Sequence, residues 1–199
     1  MTDVLAGVVD FGMVSREVYP PEKEKGAVGF AVAKDAVVPT INASNPKLKE
    51  LFAHGLSRDA AVDIWITGEA KTWGDVLGTD DATPLHAYTR SDACGAAETW
   101  ALWFGAKQED LGGTAVFGDP GVAAAVQKDI YGIGLNNIGY AYDNDTHLPN
   151  DGIVVLPIDT DGDGRIAPDE EFYDTKDRLV AAIAEGKYPS PPARDLYLV

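Results

Sequence analysis

The chain has 199 residues and a mass of 21.1 kDa, the size of one large domain or two small lobes. Its 16 Lys+Arg against 32 Asp+Glu give a net charge of −16, which excludes nucleic acid as a partner, because releasing counterions from phosphates needs clustered Lys and Arg. With 45% hydrophobic and 24% charged residues the chain can bury a core and is not disordered, and its single cysteine excludes a disulfide framework and a CxxC zinc site.

The first 25 residues lack a basic n-region and a long apolar h-region, so they do not read as a signal peptide. No stretch approaches the ~18 apolar residues of a membrane span. Residues 4–9 (VLAGVV) feed Asp10-Phe11-Gly12 and a polar loop at Ser15-Arg16, which reads as a short buried strand, or the end of a helix and a strand. After a charged segment at 20–26, GAVGFAVAKDAVVPTIN is apolar and β-branched with little helical period. It predicts a strand, with Pro39 at a crossing point or edge. Asn45-Pro46 opens a helix through LKELFAH that Gly55 closes, and residues 63–66 and 72–77 flank a Gly-Glu turn. Residues 85–90 alternate like a strand, and AAETWALWFG carries the apolar period of a helix ending at Gly105. Asp119-Pro120 opens another helix with Asp119 in capping position, followed by a Gly-rich strand at 131–143. Residues 153–158 predict a strand, 168–185 a helix ended by Gly186, and the tail an extended segment finishing in a strand. Strands alternating with helices predict an α/β class.

Two constellations carry chemistry. The first is Thr89-Arg90-Ser91-Asp92-Ala93-Cys94-Gly95-Ala96-Ala97-Glu98, where a strand ends, small residues turn and a helix begins. The first N–H groups of a helix lack internal partners and carry partial positive charge, and small side chains let an anion approach them. Arg90 adds a planar five-donor fork suited to a tetrahedral oxyanion, and Asp92 either holds that arginine or caps the helix. An ordinary capped helix with a surface Arg–Asp pair fits the same residues. Cys94 reads as a small buried residue, since none of the three histidines has an assignable place beside it. No base–nucleophile pair or catalytic metal set is visible, so the chain is expected to be a binding module and not an enzyme. Trp100 and Trp103 at helical spacing predict core packing rather than a sugar platform.

The second constellation runs from Asp159 to Glu170 as DTDGDGRIAPDE and matches a twelve-residue calcium loop. Asp159, Asp161 and Asp163 fall at positions 1, 3 and 5, Gly164 at the sharp turn, the Arg165 carbonyl at position 7, and Glu170 at the bidentate position 12. So many carboxylates in one turn repel unless a cation neutralises them. The entering element reads as a strand and only one loop is present, so the expectation is a single structural Ca2+ clip, stapling the strand at 153–158 to the following helix, rather than a paired sensor.

Four stretches in order, VDFGMVSREV at 9–18, IWITGEAKTW at 64–73, TRSDACGAAETW at 89–100 and GDPGVAAAVQKDIYGIGLNNIGYAY at 118–142, resemble the phosphate-type substrate-binding proteins of ABC importers. The SDACGAAETW and YPSPPARDLYLV stretches resemble an archaeal branch of that family. The resemblance implies a class II periplasmic-binding fold with two lobes that close on dehydrated phosphate. Residues 1–38 and 153–199 would form a partial first lobe with the calcium loop at 159–170, and residues 39–152 a largely complete second lobe carrying the anion loop 89–98. It further implies that Arg90 binds the anion, that Asp92 braces it, that Cys94, Gly95 and Ala96 line the cradle, and that Ser15 belongs to the matching SR loop. Asp10 matches an aspartate that accepts a hydrogen bond from the protonated oxyanion. An ionised buried carboxylate is all acceptor, so it welcomes hydrogen phosphate and repels sulfate. Without the resemblance, Asp10 reads as a turn-capping carboxylate.

The family normally begins before its DFG-x-x-SR loop and continues past LYLV, so the resemblance implies a chain truncated at both ends. It also implies an extracytoplasmic location, ABC permease subunits as partners, and self-association as a way to complete the partial lobe. The competing expectation is a calcium-stabilised surface domain derived from a solute-binding protein that no longer binds phosphate; a third is a sensor that reuses the fold.

Overall fold

A computed structural model describes all 199 residues. The organising element is the 13-residue strand β2 (Phe30–Asn42), which the β-branched run predicts. Its residues 30–34 are exposed and 36–42 buried, so a single strand crosses from a thin layer into the main core. The first half pairs antiparallel with β9 (Ala193–Leu198), which in turn pairs with the two-residue β1 (Met13–Val14). The second half pairs antiparallel with β6 (Gly132–Asn137) and β7 (Ile153–Val155). Beyond β6, the strands β4 (His86–Arg90) and β5 (Thr114–Val116) add in parallel, completing a seven-stranded mixed sheet in the order β1-β9-β2-β6-β4-β5, with β7 beside β2.

Pro39 lies where one neighbour of β2 hands over to another. Its carbonyl accepts from Leu156 N–H (2.9 Å), Val37 N–H reaches Pro192 O (3.2 Å), and β9 and β7 pair on either side of this gap. The N–H that proline lacks would point into that gap, so no ladder bond is lost.

Alternation along the strands separates two cores on opposite faces of the sheet. One face buries Val37, Ile41, Ile133 and Leu135 against α3 (Leu48–His54), α4 (Arg58–Trp65), α5 (Trp73–Leu77) and α6 (Gly95–Trp103). The other buries Ala36, Val38 and Val155 against α8 (Ile138–Ala141), Phe172, Tyr173 and α9 (Lys176–Ala184). α7 (Gly118–Lys128) packs Val122 and Val126 against Ile153. Trp65, Trp73 and Trp100 are fully buried, with Trp65 edge-on to Trp100 at 5.2 Å between ring centroids. Trp100 is therefore core and Trp103 packs partly buried against it, in keeping with their helical spacing.

Several expectations change. Residues 4–9 form no strand: α1 (Thr2–Leu5) is a single helical turn whose Val4 and Leu5 pack against Val14, Val18, Ala27 and Val199, and exposed turns and bends follow. The segment 63–66 ends a helix that starts at Arg58, capped by Ser57 Oγ accepting from Ala60 N–H (3.2 Å), and 73–77 is helical behind the Thr72 cap. The helix expected over 168–185 begins only at Lys176, since residues 168–170 turn back to deliver Glu170 to the loop before it. Segment 153–188 packs on the same sheet and against the same α8 as residues 39–152, through β7 and the Phe172–Tyr173 pair. Residues 193–199 join the thin layer formed by β1 and the first half of β2.

The thin layer has one covered and one open face. Val14, Val18, Ala27 and Val199 form a small cluster, while Phe11, Met13, Val28, Phe30 and Val32 are exposed.

Candidate functional site

The carboxyl ends of the parallel strands β4 and β6 meet the amino ends of α6 and α7, the place where open α/β sheets hold ligands. Arg90 is the last residue of β4, and its side chain is only 7% exposed. Its Nε donates to Asp92 Oδ1 (2.9 Å), Nη2 to Asp92 Oδ2 (2.5 Å) and Nη1 to Asp119 Oδ2 (2.5 Å). Asp92 therefore holds the arginine. It does not cap α6; Cys94 does, its Sγ accepting from Ala97 N–H (3.4 Å). Burial pushes the Cys94 thiol up from its ordinary range. The Arg90 guanidinium, with Gly118 N–H, holds the Asp92 carboxyl well below the usual carboxylate range, and its carboxylate partners raise Arg90 itself against the opposing effect of burial.

Asp119 does not cap α7 either. It is buried, 7% exposed, and accepts from Arg90 Nη1, from Asn137 N–H (2.9 Å) and from Asn137 Nδ2 (3.1 Å). Asn137 Oδ1 accepts in turn from Arg194 Nη2 (2.6 Å), which also donates to Asp35 Oδ2 (2.8 Å). One hydrogen-bonded chain thus runs Asp92–Arg90–Asp119–Asn137–Arg194–Asp35 across the strand ends.

The turn into α6 is held by a residue outside it. Gln108 Oε1 accepts from Cys94 N–H (3.0 Å), and its Nε2 donates to Asp92 O (2.6 Å). Ala97 N–H goes to Cys94 Sγ and Glu98 N–H to Cys94 O, which leaves the N–H groups of Gly95 and Ala96 as the uncommitted donors of the helix start. Ser15 lies directly over Gly95: a Cβ there would overlap Ser15 Oγ and stand 3.0 Å from Ser15 O. Ser15, Cys94, Gly95, Glu98 and Gln108 share a cavity of about 360 Å³.

Of the residues singled out for the anion, the structure thus gathers Ser15, Cys94 and Gly95 in one cavity with Ala96 beside them, and sets Arg90 with Asp92 at the strand end. Asp10 stands apart. It is exposed, and it lines a different cavity with Phe11, Lys25 and Phe30. The carboxylate in the cradle's own cavity is Glu98, in the first turn of α6. Sequence reading missed the roles of Glu98, Gln108, Asp119, Asn137 and Arg194. Arg194 is separated from its partner Thr99 by 95 residues, and no local pattern signals such a pairing.

In the acidic loop, ligand atoms of Asp159, Asp161 and Glu170 lie within 4.8 Å of one another. Asp159 and Glu170 are buried, at 3% and 7% exposure, while Asp163 and Arg165 are exposed and pair with each other at 3.3 Å. Backbone N–H groups of Gly162 (2.7 Å) and Gly164 (2.9 Å) donate to Asp159, and those of Thr160 (2.8 Å) and Ala167 (3.0 Å) to Glu170. Gly162 and Gly164 both have positive φ, which suits glycine at these turns. The entering element is β8 (Ile158–Asp159), paired in parallel with β3 (Leu56–Ser57), and Ile166 N–H ties the loop to Ala53 O. These donor types suit a hard cation, with carboxylates at hand and no soft ligand.

The chain matches the PBP superfamily domain over residues 1–198 and belongs to that family, one of solute-binding domains and not of enzymes. No curated protein matches it in sequence. Among solved structures, it is similar to a protein from Clostridium perfringens assigned as a phosphate ABC transporter substrate-binding protein, determined with bound phosphate. That likeness has a TM-score of 0.68 at 20% identity and covers 99% of this chain and 68% of the other. An ABC-type phosphate transport receptor from Vibrio cholerae gives 0.68 at 18% identity over 99% and 69%. PstS from Borrelia burgdorferi gives 0.57 at 18% over 99% and 69%. The chain thus spans about two thirds of the length of these structures, and no helix in it is long and apolar enough to cross a membrane.

Proposed function

We propose that the chain is the phosphate-binding part of an extracytoplasmic solute receptor for an ABC importer, with the anion held at the start of α6. The observation that carries this reading is the pair of uncommitted N–H groups at Gly95 and Ala96, opening beside Ser15 on the helix that follows the braced Arg90. The phosphate-binding structures of the same fold support it. A tetrahedral oxyanion at that point would take the two backbone donors, the Ser15 hydroxyl and the Arg90 N–H groups left over from Asp92 and Asp119. These donors are fixed before the ligand arrives, which keeps the cost of ordering low. With a net charge of −16 the protein offers no long-range attraction, so capture rests on these local donors. Discrimination for a protonated anion would fall to Glu98, which can accept a ligand O–H from within the same cavity, rather than to Asp10. Permease subunits would read the anion-bound form.

The acidic loop is proposed to hold one Ca2+ as a structural clip. Asp159, Asp161 and Glu170 are its closest-set carboxylates, and Asp163 and the Arg165 carbonyl would complete the shell. The open apolar face at Phe11, Phe30 and Val32 supports the expectation that two chains associate to complete the thin layer, which sedimentation at two concentrations would reveal.

Calorimetric titration with phosphate, with sulfate as control, tests the receptor reading. Phosphate binding that sulfate does not share, and that Arg90→Ala abolishes, is expected; no heat with phosphate would overturn it.

A further inference from the structure

Resting on the receptor reading above, we infer that Arg194, on the last strand, is a second anion-binding arginine of the same site. Arg194 comes from β9, and its side chain is 8% exposed. Nη1 donates to Thr99 Oγ1 (3.1 Å), and Nη2 to Asp35 Oδ2 (2.8 Å) and Asn137 Oδ1 (2.6 Å). Its Nε is buried and has no hydrogen-bond partner. Burying a guanidinium donor without a partner is costly, so an unpaired one beside a binding site points to a ligand.

The position fits. Arg194 Nη1 would stand 3.1 Å from a Cβ at Gly95, so the guanidinium flanks the helix start on the side where Ser15 also sits. Thr99, one turn along α6 from Gly95, keeps it there. A glycine here leaves room for both Ser15 and Arg194 to pack against the start of α6.

Charge favours Arg194 over Arg90 as the residue that attracts the anion. Arg90 faces two carboxylates, Asp92 and Asp119, so its own charge is more than cancelled. Arg194 faces one, Asp35, and its other partners are neutral. Across the linked cluster, two guanidinium groups meet three carboxylates, and the imbalance lies at the Arg90 end. Arg194 thus supplies directed donors whose charge is spent on a single partner.

Calorimetry with inorganic phosphate on the full chain decides the matter, with circular dichroism confirming that each variant is folded. Arg194→Gln is expected to weaken phosphate binding by at least about tenfold, the loss of a charge-assisted hydrogen bond, and Arg194→Lys to recover part of it. Asp35→Asn separates ligand contact from scaffolding. Freed of its carboxylate partner, Arg194 should bind phosphate more tightly, by roughly three- to tenfold. Were Arg194 only a strut to Asp35, this variant would weaken binding, and that result overturns the inference even if Arg194→Gln fails to fold. Phosphate affinity within about threefold of wild type in folded Arg194→Gln overturns it too. Wild-type protein that gives no heat with phosphate would instead overturn the receptor reading on which the inference rests.

Discussion

Gly95→Ala is the sharpest perturbation of the cradle. Gly95 opens α6 with ordinary helical geometry and no positive φ, so alanine costs no backbone strain there and helix propensity favours it by up to about 1 kcal/mol. Space opposes it. The new methyl overlaps Ser15 Oγ and stands 3.0 Å from Ser15 O and 3.1 Å from Arg194 Nη1. Two of these neighbours are not free to yield: Arg194 is tied to Thr99, Asp35 and Asn137, and the Ser15 carbonyl is backbone. Overpacking of this kind costs about 1–3 kcal/mol, so the net expectation is a loss of about 1–2 kcal/mol. For a chain of this length that lowers the melting temperature by roughly 2–8 °C. The methyl also displaces Ser15 from the start of α6, so phosphate affinity should fall along with stability. Gly139→Ala in α8 is the control: a Cβ there meets nothing within 4 Å, and it should be neutral or stabilising by up to about 1 kcal/mol. Differential scanning fluorimetry and phosphate titration on both variants give the answer. If Gly95→Ala melts and binds like Gly139→Ala, the contact between Ser15 and the helix start is wrong.

Further outcomes follow from the same contacts. Gln108→Ala removes the clamp on Cys94 N–H and Asp92 O and should cost about 1–3 kcal/mol in thermal or chemical denaturation, with weaker phosphate binding. Glu170→Gln, or chelation of the wild type, should lower the melting temperature by several degrees, and added Ca2+ should restore it only in the wild type; equal melting with and without Ca2+ would remove the clip. The Asp92 carboxyl is held below its unfolded value, so its contribution to stability is complete above the ordinary carboxylate range and is lost as pH falls through the depressed value. Acid denaturation of Asp92→Asn should accordingly show less stability to lose between neutral pH and the strongly acid range than wild type does. The half-buried Cys94 thiol, raised by desolvation, should react slowly with a thiol reagent at pH 8, and faster once the protein is unfolded.

What sequence revealed and what it hid divides along physical lines. The strand at 30–42, the crossing role of Pro39, the helix closed by Gly55 and the strand-to-helix turn at 90–95 rest on local propensity, and local propensity is present in the letters. The run at 4–9 is apolar enough for a strand, but no strand pairs with it, and Val4 and Leu5 instead pack from a helical turn onto the small cluster of the thin layer. Asp119 looked like a cap because Asp before Pro at a helix start usually is one. A buried arginine 29 residues away competes for the same carboxylate and wins, since an unpaired buried guanidinium costs more than an uncapped helix. Asp10 followed from resemblance rather than from any local constraint, and the loop that carries it is exposed here. Arg194 could not have been chosen from the tail alone; only the fold brings it to Gly95.

An oxyanion on the first turn of α6 would be read directly in the backbone amides themselves. In a 15N-correlated NMR titration, phosphate should shift the Gly95 and Ala96 amide protons strongly downfield, as charge-assisted hydrogen bonds do, with Ala97 and the Asp10 loop far less affected. Gly95 and Ala96 amides that stay in place at saturating phosphate would mean that no oxyanion binds there.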